Sequence, residues 1–292
     1  MSDIGELMAA VGAGAAAVRE MDESGRLTAI LPELEAGRGF VQPVMHYFDV
    51  LNHNLETVAA FDRSIGHGEE GIELRAVLDW MDFDASLGRE IEGWPLVTLT
   101  RLACLVHDVA KPATATIVDE RLRFPRHGPR GAEMMRARLP EVGFGPESTE
   151  FVAKMVRYHL RPAELVKAWP VTDKAVRKFV ADVDGHALPL MLVNISDGMA
   201  VRGPTYTRES FRRHCTFVNY VVARALAAND EGEHPLLTGD DLIENLNLES
   251  GRLLGAVLTS VRRAQLDGSI SNRDEALVLA RSVLVNLRAN DS

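Results

Sequence analysis

Six histidine and aspartate side chains are spaced along the chain in a way that suits metal ligation. Two of them are adjacent in the stretch LACLVHDVAKPAT, residues 102–114, where His107 and Asp108 directly follow an apolar run. Imidazole and carboxylate together are the donors expected for borderline divalent ions such as Mn, Fe, Co, Ni or Zn, which disfavours a structural thiolate site and an all-carboxylate magnesium cage. The six candidate ligands are His53, His107, Asp108, His127, His159 and Asp197.

The His107-Asp108 pair is predicted to lie at the end of a helix. Adjacent side chains diverge by about 100° inside a regular helix, whereas at a helix end the backbone relaxes and both can turn to one ion. The preceding LACLV run and the following Pro112 indicate such an end. The aspartate could then bind one metal ion or bridge two. Alone, this dipeptide leaves metal and structural roles equally open.

The chemistry that these residues favour is phosphoester hydrolysis. A bound ion lowers the pKa of its water from 15.7 toward about 7 and polarises a phosphoryl oxygen. Lys111 lies one helical turn beyond His107 and is predicted to contact a non-bridging phosphate oxygen. An arginine-rich face that is merely solvated is the alternative for the nearby cationic residues. Further candidates for phosphate binding are Arg126, Arg130, Arg157, Arg161 and Arg202.

Helical periodicity dominates the segments that would have to hold these residues, so the fold is predicted to be all-α. In VMHYFDVLNHNLETVAAFD the apolar residues recur at three- and four-residue spacing and form one stripe. TATIVDERLRF alternates apolar and polar residues and is the only β-hairpin predicted, while residues 64–94 are predicted to form a long connection. Helices are also predicted over about residues 4–21, 96–109, 131–138, 148–159, 172–182, 187–199, 207–228 and 250–266.

The charge distribution limits the classes of partner. The formal net charge is -10, and residues 1–100 carry 6 basic and 18 acidic residues against 26 and 24 in residues 101–292. This balance excludes a protein that coats long nucleic acid through an extended basic face. A local phosphate pocket is compatible with it, because six arginines and one acid, Glu133, lie between residues 121 and 138.

The N-terminal segment and the cysteines indicate the compartment. The first residues include acids, lack a basic region and are interrupted by charges, so neither a secretion signal nor a membrane span is predicted. Cys104 lies in an apolar run and Cys215 in an arginine-rich helix, so neither a disulfide nor a thiolate metal site is expected. A reducing cytoplasm is the predicted location.

Five segments together resemble a known family. His53, the His107-Asp108 pair and Asp197 occur in the order of the HD superfamily of metal-dependent phosphohydrolases, with His127 and His159 at the positions of the extra histidines of its two-metal members. More narrowly, the chain resembles the HD region of bacterial tRNA nucleotidyltransferases of the CCA-adding and poly(A) polymerase family. The segments are QPVMHYFDVLNHNLETV, LACLVHDVAKP, RFPRHGPRGAEMM, MVRYHLRP and LMLVNISDGMAVRG.

The resemblance implies an all-α HD core with a helical C-terminal extension. MDESGRLTAILPELEAGRG resembles the neck of these enzymes, and HPLLTGDDLIENLNLESGRLLGAVLTSVRRAQLDGSISNRDEALVLA resembles their tail. The implied organisation is a neck-like segment over residues 1–40, an HD domain over 41–230 and a helical tail over 231–292.

Two departures from the family pattern limit what it implies. The nucleotidyltransferase head, with a Gly-Ser pair and an Asp-x-Asp for its metals, should precede the neck and is missing from this sequence. Asp82 and Asp84 form an Asp-x-Asp, but they follow His53 without an upstream Gly-Ser partner, so chance explains them better. Gly128 stands where relatives often have an acid, which predicts the loss of a partner for His127.

Three functions follow from these observations. The first is hydrolysis of 2′,3′-cyclic phosphates, 2′-nucleotides or other small nucleotide and RNA-end phosphoesters, with Asp108 and Lys111 catalytic. His53, His107, Asp108 and Asp197 would hold one divalent ion (Mn, Fe, Co, Ni, Zn or Mg), and His127 and His159 would complete a second. The second is a non-catalytic tRNA-binding or assembly subunit that partners a separately encoded head. The third is an HD-fold diiron oxygenase, against which the cationic surroundings weigh.

Overall fold

The computed structural model describes residues 2–43, 46–167, 171–231, 235–246, 248, 251–266 and 268–290. The described residues are mostly helical, as the sequence predicts, and no described helix is long and apolar enough to cross a membrane. The chain forms two compact units. The first contains residues 1–167 and 188–220, and the second contains residues 168–187 and 221–292.

The N-terminal helix predicted over residues 4–21 is in fact two helices, α1 (Asp3–Ala13) and α2 (Ala15–Glu23). Gly14 separates them with a φ of 108°, a backbone conformation that side chains with a Cβ rarely adopt. Asp62 reinforces the break, because its Oδ2 accepts a hydrogen bond of 2.7 Å from the backbone N–H of Ala15. A short α3 (Arg26–Ile30) and a 3₁₀ turn (Pro32–Gly37) follow.

Two helices at the centre of the first unit carry the residues of interest. α4 (Val50–Ile65) begins at Asp49, whose side chain caps it, and α7 (Leu96–Val106) is buried along almost its whole length. The stripe predicted for α4 is buried as expected, at Leu51, Leu55 and Val58. Between the two helices the predicted connection contains α5 (Glu69–Val77) and α6 (Phe83–Gly88).

The described residues contain two β-hairpins, where the sequence predicted one at most. The unpredicted pair joins β1 (Glu90–Ile91) and β2 (Trp94–Pro95), and Glu92 and Gly93 turn between them with φ values of 51° and 80°. Positive φ at both central residues is typical of a tight hairpin turn. The predicted hairpin is present as β3 (Thr116–Val118) and β4 (Arg121–Arg123).

The remaining helices of the first unit follow the predicted order. Pro112 does not end the helix that carries His107, because α7 has already ended at Val106 and Pro112 lies in the first turn of α8. This placement suits proline, whose missing N–H is not needed in a first turn. The helices are α8 (Lys111–Thr114), α9 (His127–Val142), α10 (Pro146–Tyr158), α11 (Arg161–Lys167), α13 (Ala187–Arg202) and the first part of α14 (Arg208–Glu231).

The second unit has its own apolar core. Leu242, Val257, Val261 and Ala276 are buried in it, and Arg263 donates a hydrogen bond of 2.7 Å to Asp182. Its helices are α12 (Asp173–Val183), the end of α14, α15 (Gly239–Leu246), α16 (Arg252–Leu266) and α17 (Arg273–Asn290).

A partly buried ion pair links the N-terminal helices to the core of the first unit. Arg101 on α7 donates to Asp62 on α4 at 2.7 Å and to the carbonyl of Val11 at 2.8 Å. We expect Arg101→Met to lower the free energy of unfolding by about 2 kcal/mol, because Oδ1 of Asp62 and the carbonyl of Val11 lose the donor that they have in the structure. Denaturant unfolding followed by circular dichroism measures this change.

Arg63→Met is the matched control. Arg63 also pairs with a glutamate of its own helix, but its side chain is 43% exposed, so we expect a loss below about 1 kcal/mol. Equal losses for the two variants would contradict a special role for the Arg101–Asp62 pair.

Candidate metal centre

The structure brings the six candidate ligands together in two groups that share one aspartate. His53, His107, Asp108 and Asp197 form the first group, and Asp108, His127 and His159 form the second. Within each group the potential ligand atoms all lie within 4.8 Å of one another. Asp108 faces the first group with Oδ2 and the second with Oδ1. Its carboxylate therefore stands where it can bridge two metal ions.

Helix ends position most of these side chains. His107 directly follows α7, His159 directly follows α10, and His127 is the first residue of α9. Asp108 lies in the turn between α7 and α8, so the adjacent His107 and Asp108 can face the same centre. This is the arrangement that the preceding apolar run predicted for the pair.

Three of the four histidine ligands are oriented by the same kind of hydrogen bond to the backbone. The Nδ1 atoms of His107, His127 and His159 lie 2.8, 2.7 and 2.7 Å from the backbone carbonyls of the residues three positions earlier. A carbonyl can only accept, so Nδ1 carries a proton in each ring and Nε2 is the nitrogen left to face a metal. All three Nε2 atoms face Asp108.

The distances between ligand atoms fit divalent ions. Nε2 of His53 lies 3.2 Å from Nε2 of His107, and Nε2 of His127 lies 3.1 Å from Nε2 of His159. Metal–nitrogen bonds of about 2.0–2.1 Å place neighbouring ligands roughly 3.0–3.4 Å apart. In addition, Oδ1 of Asp108 is buried without a hydrogen-bond partner among the described residues, which is costly unless a cation satisfies it.

The electrostatics hold Asp108 and His159, but not His107, in the protonation states that metal ligands need. Burial acts to raise the pKa of Asp108, but the Lys111 ammonium and His107 outweigh it and hold that pKa well below its usual range. Burial lowers the pKa of His159 to about 3. Burial also lowers the pKa of His107, but Asp108 and Asp197 reverse this and raise it to about 10. A metal ion at the first group must therefore displace the proton of His107.

Lys111 is buried beside the bridging carboxylate. Its ammonium lies 2.5 Å from Oδ2 of Asp108, 2.7 Å from Oε1 of Gln42 and 3.3 Å from Nε2 of His46. Burial, followed by the Lys111 charge, lowers the pKa of His46 to about 4, so this imidazole is neutral and can accept. Gln42 and His46 were not predicted as site residues. The only signal for them was their place in the QPVMHYFDVLNHN segment.

The other predicted phosphate contacts have partners of their own or lie in solvent. Arg130 pairs with Glu133 at 3.0 Å and Arg161 with Glu164 at 2.7 Å. Arg157 lies over the ring of Tyr158, and Arg126 and Arg202 are exposed. None of these described contacts involves the six ligands.

Asp82 and Asp84 have structural roles, whereas the sequence alone favoured chance as the explanation of their pattern. Asp82 caps α6 by accepting from the N–H of Ala85 at 2.9 Å, and Asp84 pairs with Arg75 at 2.8 Å. These contacts account for the Asp-x-Asp pattern without a catalytic role.

Gly128 has a role that the sequence did not reveal. The sequence predicted that His127 lacks a partner there, but the carbonyl of Phe124 supplies that partner. A Cβ at Gly128 would lie 2.8 Å from the carbonyl oxygen of Arg157 and 3.2 Å from that of Val156. The glycine therefore allows α9 to approach the end of α10 closely enough for His127 and His159 to meet.

Comparison with known proteins identifies two domain types in this chain. An HD domain model matches residues 85–184, and a model described as tRNA nucleotidyltransferase domain 2 (putative) matches residues 231–280. The HD match contains His107, Asp108, His127 and His159. A bifunctional uridylyltransferase/uridylyl-removing enzyme of Ruegeria pomeroyi is 28% identical over 57% of this chain and 16% of its own length.

Two tRNA nucleotidyltransferases match most of the chain. The CC-adding enzyme of Thermus thermophilus is 28% identical over 89% of this chain and 50% of its own length. The A-adding enzyme of Deinococcus radiodurans is 27% identical over 88% of this chain and 51% of its own length. The chain thus spans about half the length of these relatives. It contains an HD domain and is homologous, over that half, to the CC-adding and A-adding tRNA nucleotidyltransferases.

Proposed function

We propose that this protein is a metal-dependent phosphohydrolase. Its substrates would be 2′,3′-cyclic phosphates, 2′-nucleotides or other small nucleotide and RNA-end phosphoesters. The observation that carries this proposal is the Asp108 carboxylate, which faces one group of ligands with each oxygen and is buried at 2% exposure. A structural ion would need neither the second group nor the cation beside them.

In this proposal the six ligands hold two metal ions. His53, His107, Asp108 and Asp197 would hold one, and His127 and His159 would complete a second through Asp108. Bound divalent ions would supply a hydroxide at neutral pH and polarise the phosphoryl oxygen. The protein keeps the ligands rigid, because the carbonyl contacts fix the imidazoles and the burial of His53, His107 and His159 excludes bulk water.

Lys111 would bind the phosphate. Its three ammonium donors are engaged by Asp108, Gln42 and His46. A phosphate oxygen must therefore replace one of these acceptors, and His46 has the longest contact, at 3.3 Å. A neutral imidazole is also a weaker acceptor for an ammonium than a charged phosphate oxygen. His46 would then leave as the substrate enters, while Asp108 and Gln42 keep the ammonium in position.

A role connected with tRNA is the second candidate. The match of residues 231–280 to tRNA nucleotidyltransferase domain 2 and the names of the relatives support it. The chain would then bind tRNA without hydrolysing it, as a subunit that assists a nucleotidyltransferase. The complete set of six ligands argues against a purely non-catalytic subunit, because a scaffold has no chemical need for it.

The test combines metal analysis with a substrate panel. Protein purified without chelators is analysed for Mn, Fe, Co, Ni and Zn, and then assayed with 2′,3′-cyclic AMP, 2′-AMP and p-nitrophenyl phosphate. We expect bound divalent metal, turnover that chelation abolishes, and recovery when one of these ions or Mg is restored. Turnover that survives removal of all divalent ions would contradict the proposal.

The same protein distinguishes the alternatives. Salt-sensitive binding of tRNA without any hydrolysis would favour the non-catalytic subunit. Oxygen uptake that requires iron would favour the diiron oxygenase, whereas activity supported by zinc or nickel would exclude it.

A further inference from the structure

The β3–β4 hairpin joins two parts of the metal centre. It lies in the chain between Lys111 and His127, and Phe124 directly follows β4. The ring of Phe124 lies 5.5 Å from the Lys111 ammonium, and its carbonyl accepts from Nδ1 of His127 at 2.7 Å. The base of the hairpin is therefore held at the centre, and its strands begin next to that base.

The two strands are exposed, and one face carries two arginines. Arg121 pairs with Val118, and Arg123 pairs with Thr116. Paired residues and residues two apart lie on the same face of a hairpin, so these four side chains share one face. All of β3 and both arginines are exposed. The guanidinium groups are anchored about 7 Å apart along the strand.

These arginines differ from their neighbours in lacking acidic partners. Among the described residues, Arg130, Arg136 and Arg138 are each paired with a glutamate. Arg121, Arg123 and Arg126 form no ion pair and no side-chain hydrogen bond with any residue that the structure describes. Within residues 121–138, the described arginines without an ion-pair partner are therefore the two of the hairpin and the one just before His127.

Two neighbouring guanidinium groups without acidic partners can bind two successive phosphates of a nucleic-acid strand. Arginine binds phosphate oxygens in a bidentate manner and is weakly hydrated, which favours it for nucleic-acid backbones. Val118 lies on the same face as the two arginines and is 47% exposed, so it offers apolar contact to sugars or bases. Asp119 and Glu120 form the turn, and their charges limit the binding surface to the strands rather than the tip.

We propose that the β3–β4 hairpin binds the phosphate backbone of a single-stranded RNA end whose terminal phosphoester lies in the metal centre. The proposal rests on the proposed hydrolysis and narrows its substrate class. The ligands are too deeply buried for a duplex to reach them, so the proposal assigns the site to a single-stranded end. A 2′,3′-cyclic phosphate requires a 2′-hydroxyl, so the strand is RNA.

The first test measures binding without chemistry. A labelled 12-nucleotide single-stranded RNA with a 3′-hydroxyl end, which has no terminal phosphoester to hydrolyse, is titrated with the full chain at several salt concentrations. We expect Arg121→Ala/Arg123→Ala to raise Kd by about tenfold and to reduce the slope of log Kd against log salt by about 1.4, or roughly 0.7 for each lost contact. Circular dichroism checks that the variant remains folded.

Arg63→Ala/Arg213→Ala is the matched control. It removes the same charge from the same unit, but both arginines are already paired with glutamates. We expect Kd to change by less than about twofold, as for a general field effect of exposed charges. Equal losses in the two double variants would overturn the hairpin proposal, and so would an unchanged Kd for Arg121→Ala/Arg123→Ala.

The second test separates the hairpin from the hydrolysis. We expect the Arg121→Ala/Arg123→Ala variant to raise KM for an RNA that ends in a 2′,3′-cyclic phosphate by about tenfold, since lost binding energy appears in KM when kcat is unchanged. Turnover of 2′,3′-cyclic AMP should stay the same, because a mononucleotide does not reach the hairpin. An equal loss for both substrates would overturn the proposal. Hairpin-dependent RNA binding by a protein that hydrolyses nothing would instead contradict only the proposed function.

Discussion

Asp108→Asn is expected to abolish tight binding of metal at both ligand groups and to reduce turnover by about 10³-fold or more. The amide has one oxygen and no charge, so it cannot bridge two ions as a carboxylate can. The substitution also removes one of the two negative charges that offset Lys111 and the protonated His107.

Metal content per chain and turnover are the two measurements for this variant. Asp182→Asn is the control, since Asp182 is also buried and bonded to a cation, Arg263, but belongs to the other unit. We expect the control to lose some stability and to keep its metal and its turnover. If Asp108→Asn retained two ions per chain, the bridging role of this carboxylate would be wrong.

Much of the centre could be predicted from the sequence, because its ligands are tied to local features. The apolar run before His107 indicated a helix end, and α7 does end there. The stripe in α4 indicated which face is buried, and His53 lies beside that stripe at full burial. Residue type then restricted the chemistry to imidazole and carboxylate donors.

What the sequence did not reveal depends on contacts between distant segments. Gln42 and His46 meet Lys111 across 69 and 65 residues of chain, and no periodicity reports such a contact. The break at Gly14 required knowledge that Asp62 lies opposite it. The β1–β2 hairpin is too short for strand propensity to be visible, because only two residues pair on each side.

The role of Gly128 also depends on a contact between distant segments. The sequence and the structure predict opposite effects of Gly128→Asp on metal binding. If the acid found in relatives were a missing partner of His127, Gly128→Asp would strengthen the second metal site. The structure predicts the opposite. A side chain at this position meets the carbonyl oxygens of Arg157 and Val156, and the latter accepts from Nδ1 of His159.

We therefore expect Gly128→Asp to weaken binding of the second ion by about 10–100-fold and to reduce turnover by about 10²-fold, as for a catalytic group displaced by about 1 Å. The first ion should be weakened less, because His53, His107 and Asp197 lie outside α9 and α10, although the ring of His107 packs against that of His159 with centroids 5.2 Å apart. The measurement is a competition titration against a chromophoric chelator, which resolves the two affinities.

Gly255→Asp is the matched control for this substitution, since Gly255 is also inside a helix but has nothing within 4 Å of its added Cβ. It adds the same charge and changes helix propensity in the same way, so both metal affinities should stay as in the wild type. Because α9 would have to move away from two backbone oxygens, even Gly128→Ala should show a smaller effect of the same sign. Tighter binding of the second ion by Gly128→Asp would mean that His127 does need an acid, and that the close approach of α9 to α10 is not what holds His127 and His159 together.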